Sequence, residues 1–226
     1  MSDQQTSIHA SAEAIKRLKR RKGKETRFRL LGIAAIIAAV SMLIWLLISI
    51  VGTGYTAFYQ HYLTVDVNLE ESVLDPEGIR DPDALRKAPY RRILQNAMYE
   101  HFPDITERKA RNDLFQIASA SGATNQVRQM VYQNPSLVGQ RLTLSVPTSD
   151  DVDQLLKGYI DRDVDEGVRR LSNQQISWID EMVEQGKIES KFNWRFFTGT
   201  DSSDPELAGI ASAFVGSLMA LSLIHI

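Results

Sequence analysis

The sequence predicts a membrane α-helical protein: two transmembrane helices with an inserted α+β periplasmic domain. Three observations predict it. A basic head runs into the uncharged apolar stretch Leu30–Val51, a polar segment of mixed charge occupies 60–206, and a second apolar run begins at Leu207. Average composition conceals this partition, since the 226 residues are 43% hydrophobic, 24% charged and carry a net charge of −2. That charge fraction excludes a wholly disordered chain. The absence of Cys excludes disulfides, thiolate zinc sites, iron–sulfur clusters and a cysteine nucleophile.

Residues 1–29 hold nine Lys and Arg against three acids, a net of +6, so the remainder carries −8. A basic head on an acidic body fits either a nucleic-acid-binding arm or a juxtamembrane anchor. The next segment decides for the anchor, a basic cytoplasmic N-terminal arm that binds no nucleic acid. Residues 30–52 form the first transmembrane helix. Leu30–Val51 has no charge and no proline, with only Gly32, Ser41 and Ser49 as weak interruptions. Twenty-two residues span about 33 Å, enough for the hydrocarbon core of a bilayer. A soluble amphipathic helix would show a polar stripe, and the run is too long for the apolar region of a signal peptide. Tyr55, Phe58, Tyr59 and Tyr62 follow as an aromatic belt would. The basic cluster abuts one end of the span, and the other side has no Lys or Arg before Arg80. The N-terminus is therefore expected in the cytoplasm, with the arm on anionic lipid headgroups.

Within the 60–206 domain, the alternation of Tyr62–Leu69 predicts a strand with Val65, Val67 and Leu69 on one face. Asp75–Pro89, with three prolines, reads as a loop, and Tyr90–His101 as a helix ending before Pro103. Asp104 and Glu107 make a capping-box-like start for a helix to about Ser121, stopped by Gly122. Helices are further expected over Asn125–Gln133, over Asp151–Ile160 capped by Ser149, and over Asn173–Gln185 capped by Ser172 and stopped by Gly186. Arg141–Val146 and Lys191–Phe197 alternate as strands, the latter through Phe192, Trp194 and Phe196.

Residues 207–220 read as the start of a second transmembrane helix, with Gly209, Ala213 and Gly216 as a small-residue packing face. The last six residues, 221–226, also spell the translation of a transposon end used in sequencing libraries. They are read as adapter sequence, which makes the chain an N-terminal fragment.

No catalytic, cofactor-binding or metal site emerges. There is no GxxxxGK[ST], GxGxxG, HExxH, GxSxG or EF-hand pattern. His9, His61, His101 and His225 are widely separated. Asp150, Asp151 and Asp153 lack the spacing and glycine turn of a calcium loop and read as the acid-rich first turn of a helix. Asp161, Asp163 and Asp165 read as a solvated loop, and Phe192, Trp194, Phe196 and Phe197 as a core-facing strand in preference to a ligand platform.

The stretch Phe192-Asn193, Phe196-Phe197, Asp201-Ser202 and Pro205–Ile210, running into Ala213 and Val215–Leu218, resembles the start of the permease core of the phosphate ABC transporter subunit PstA. The variety it resembles carries a large extra domain between the first and second membrane helices. Asn134-Pro135, Gly139, Asp150–Asp153, Leu156–Gly158 and Trp178–Asp180 are similar to that extra domain. The resemblance covers nearly all of 10–220. It implies a multi-pass inner-membrane permease subunit that forms a pathway for inorganic phosphate. It also implies a second permease subunit (PstC-type), ATPase subunits (PstB-type) and a periplasmic phosphate-binding protein as partners. No substrate-contacting residue transfers onto this chain, because those of the family lie beyond Ala220. The alternative is a membrane-anchored periplasmic sensor or receptor whose 60–206 domain binds a ligand. A singly anchored envelope protein is a third reading, and an enzyme has the least support.

Overall fold

The computed structural model describes residues 12–224. His9, His225 and the first part of the basic arm lie outside them. Contacts divide the chain after Gly54 into two units.

The first unit is one helix, α1 (Ala12–Gly54), of 43 residues. It continues the basic arm and the apolar run without a break: no proline lies between them, and Thr26 Oγ1 donates back to the Lys22 carbonyl within the helix. Its most apolar window has a mean hydropathy of 2.7 and no buried residue. Met42 and Trp45 are each 76% exposed. Among the described residues this is the one helix long and apolar enough to cross a membrane.

The second unit is a mixed α/β domain. After a 3₁₀ turn at Tyr55–Phe58 come β1 (Tyr59–Asn68), α2 (Glu71–Leu74), α3 (Pro82–Lys87), α4 (Tyr90–His101), α5 (Arg108–Phe115) and α6 (Ala120–Gln133). There follow β2 (Arg141–Pro147), α7 (Asp150–Leu156), α8 (Asn173–Glu184), β3 (Ile188–Phe192), α9 (Trp194–Thr198) and α10 (Ala211–Ile224). The three strands form an antiparallel sheet with β1 in the middle, in the order β2-β1-β3. Val65 lies opposite Leu144, Val67 opposite Leu142, and Leu63 opposite both Val146 and Ile188. The alternation read from the sequence holds here: Leu63, Val65 and Val67 are buried while Asp66 and Asn68 are exposed. Helices α4 and α6 cover this sheet through Ile93, Leu94, Val127 and Val131, all buried.

Several expectations are corrected. The fold is not a two-span membrane architecture with an inserted domain. Among the described residues the second apolar run, expected over 207–220, gives α10 with 14 residues, a shorter apolar helix that does not stand beside α1 as a second helix long and apolar enough to cross a membrane. Gly209 lies outside α10, and nothing packs within 4 Å of the Cβ position of Gly216. The proline-rich loop contains α3, because Asp81 accepts a hydrogen bond from the Ala84 amide at 3.1 Å and Pro82 occupies the first turn.

The helix expected from Asp104 to Ser121 is two helices. Between them Ser119 donates its amide to Pro147 and Ser149 donates to Ile117, each at 2.9 Å, so the backbone bonds to the end of β2 instead of continuing helical. Ser119 then caps α6, and Gly122 lies in its first turn and is not a stop. Ser149 makes no side-chain cap for α7, which ends at Leu156 before Gly158 turns left-handed at φ +78. The expected strand Lys191–Phe197 is strand only to Phe192. Asn193 breaks it by accepting from the Phe196 amide and capping α9.

Candidate functional site

The richest set of polar side chains lies where the start of β1, the first turns of α7 and the segment 193–210 meet. β1 places Gln60 and His61 there, and their side chains leave opposite faces of the strand. α7 presents Asp150 and Asp153, and Lys157 follows at its C-cap. Asp153 is 8% exposed. Its carboxylate accepts from the His61 backbone amide at 3.0 Å, from His61 Nδ1 at 2.8 Å and from Lys157 Nζ at 2.5 Å. Burial pushes this carboxyl up, but the His61 side chain, Lys157 and the His61 amide outweigh burial and hold it below the ordinary value. Asp150 moves the other way: burial and then the neighbouring Asp151 raise it.

Beside this cluster is a groove of about 320 Å³, lined by Gln60, Asp150, Asp153, Lys157, Asn193 and Glu206 among others. Gln60 is 2% exposed. Its Nε2 donates to the Glu206 carbonyl at 3.0 Å, and its Oε1 has no hydrogen-bond partner among the described residues. The groove wall formed by 204–206 is held down by two short bonds, Ser119 Oγ to Glu206 and Ser121 Oγ to Asp204, each 2.5 Å. The arrangement offers acceptors and negative charge with a single ammonium, so it suits a hydrogen-bond-donating group and disfavours a free anion.

A second cleft, about 230 Å³, opens on the domain between Asp66, Glu100, His101, Arg141 and Lys187. Lys187 Nζ lies 2.7 Å from His101 Nδ1. Burial, then the Lys187 charge, lowers the His101 pKa.

The sequence-flagged residues are distributed as follows. Asp150, Asp151 and Asp153 do form the first turn of α7, but Asp153 is also an internal ion partner, a role set by His61 ninety-two positions away and invisible in local sequence. Asp161 and Asp165 accept backbone amides of Asp163 and Gly167 in a loop. His61 and His101 are in separate places with different partners. Among the described residues no group of three or more His, Asp or Glu could hold a metal ion. Phe192, Trp194, Phe196 and Phe197 do not line the core. They join Phe58 and Tyr59 in a cluster of rings, with Trp194 70% exposed and Phe192 and Phe197 each 41% exposed.

No curated protein and no solved structure matches the chain. A protein-family model described as a domain of unknown function, DUF3333, matches residues 15–166. That match takes in α1 and the domain as far as the loop after α7, more than half of the chain, and the chain therefore belongs to the DUF3333 family.

Proposed function

We propose that the chain acts within the transmembrane permease subunit of an ABC importer for inorganic phosphate, anchored in the inner membrane by α1 with its N-terminus cytoplasmic and its α/β domain periplasmic. The observation that carries this is the 30–51 stretch of α1: apolar on every side, with none of its apolar window buried, preceded in the same helix by a basic run and followed by an acidic domain. Such a helix finds its solvent in lipid. The residues similar to PstA supply the transported ion and the partners: a second permease, ATPase subunits and a periplasmic phosphate-binding protein.

The domain is not the phosphate trap in this account. Beyond residue 29 the chain has 17 basic residues against 25 acids, and a net negative field repels phosphate. Its role is docking or assembly. The test is uptake of labelled phosphate in a strain lacking the gene. Uptake should fall and be restored by the gene, and deletion of 65–200 should lower assembly or rate without changing the ion carried. Unchanged uptake, or a switch of ion on deletion, refutes the proposal. Unchanged uptake would favour a second reading, a membrane-anchored periplasmic sensor, which draws on the groove beside Gln60 Oε1, without a hydrogen-bond partner among the described residues.

A further inference from the structure

We propose that the aromatic cluster built on α9 is a lipid-contacting surface, seated among the headgroups of the bilayer that α1 crosses. The inference rests on the membrane reading of α1 and adds a second point of contact, made by the folded domain itself.

The cluster is continuous. Phe58 stacks on Phe197 at 5.7 Å and meets Phe196 edge-on at 5.6 Å. Phe192 stacks on Phe197 at 6.0 Å, touches Trp194 at 4.8 Å and meets Tyr59 at 6.1 Å. Asn193 fixes the arrangement by donating its amide to the Phe58 carbonyl at 2.8 Å while its side chain caps α9. The outer rings stay open to solvent: Trp194 is 70% exposed and Tyr59 49% exposed. A soluble surface rarely groups large rings in this way without something to cover them.

Three features select lipid as the cover. The first is the tether. Phe58 follows Val51, the end of the apolar run, by seven residues, which is no more than about 25 Å of chain even fully extended. The rings therefore cannot leave the neighbourhood of the interface at which α1 emerges. The second is composition. Trp and Tyr carry an apolar body with a polar tip and favour the headgroup layer, and the exposed Arg195 in α9 can extend its guanidinium to lipid phosphates. The third is continuity with more apolar surface. The Ile210 amide bonds to the Phe196 carbonyl at 2.8 Å and the Ala211 amide to the Gly199 carbonyl at 3.1 Å. These bonds start the apolar helix α10, with Phe214 68% exposed, directly against α9.

The test uses the full chain reconstituted in phosphatidylcholine vesicles and in vesicles of the same lipid dibrominated on its acyl chains. Emission of Trp194 is the difference between the unaltered chain and W194F, and emission of Trp45 is the difference from W45F. Trp178, 8% exposed, is a constant background. Trp194 emission should fall at least twofold in the brominated vesicles and resist aqueous iodide. The proposal is overturned if Trp45 is quenched by bromine while Trp194 is quenched only by iodide. If neither is quenched by bromine, the membrane reading of α1 fails and the proposal falls with it. Circular dichroism of W194F checks that the exposed position tolerates the change.

Discussion

Asp153 holds β1 to α7, and its removal gives the sharpest expectation for stability. Asp153→Ala deletes an acceptor of three charge-assisted or backbone hydrogen bonds. It leaves the Lys157 ammonium, whose side chain is 14% exposed, without its counterion. Removing one member of a buried ion pair costs about 3–5 kcal/mol, because the remaining charge stays desolvated. Here the adjoining groove admits water to Lys157, which places the expectation near the lower end, about 3 kcal/mol. In urea, with a slope of about 2 kcal/mol/M, that is a shift of roughly 1.5 M in the midpoint of the full chain in detergent, followed by circular dichroism. The pH dependence has a definite sign. The folded carboxyl is held below its unfolded value, so its stabilisation is fully present above about pH 4 and is lost as pH falls through the lower folded value. The difference between the unaltered chain and the variant should therefore narrow below pH 4. A midpoint shift under about 0.3 M at pH 7 would refute the ion cluster as a structural support.

Two further outcomes follow from other sites. The folded pKa of His101 is lowered by burial and by Lys187, so the unfolded chain binds protons more readily. Stability should fall as pH drops from about 7.5 through 6.5 and below, and H101Q should flatten that dependence in the same urea titrations. At Gly209 a Cβ would lie 2.5 Å from the Gly199 carbonyl oxygen and 2.7 Å from that of Arg195. Since both neighbours are backbone, Gly209→Ala should cost on the order of 1–3 kcal/mol and speed amide exchange in 194–211, whereas Gly216→Ala, within α10 and with open space at its Cβ, should not destabilise.

Local signals made part of the fold legible and long-range bonding hid the rest. Tyr90–His101 and Asn173–Glu184 were readable because their limits are written nearby: Pro103 after the first, and for the second the reciprocal box of Ser172 and Gln175 with Gly186 at φ +68. β1 and β2 were readable from side chains alternating over one buried face. The break between α5 and α6 was not, since its cause is the pairing of Ala118 with Thr148 thirty positions on. The alternating aromatics after Lys191 imitate a strand, yet the Asn193 cap was a local signal that could have marked α9. For the second apolar run, hydropathy alone carried the expectation, and among the described residues it gives only a shorter apolar helix. The groove could not be seen at all, because Gln60 and Glu206 meet only in the folded chain.

The central claim is that α1 crosses a bilayer and separates its basic end from the acidic domain. The chain has no native Cys, so single cysteines report position cleanly. Asp163→Cys, in an exposed loop, and Lys24→Cys, on the exposed basic part of α1, are each treated with a membrane-impermeant maleimide in intact spheroplasts. Labelling of position 163 without lysis, and of position 24 only after lysis, is the predicted result. The reverse pattern, equal labelling of both before lysis, or recovery of the chain in the soluble fraction would contradict the account.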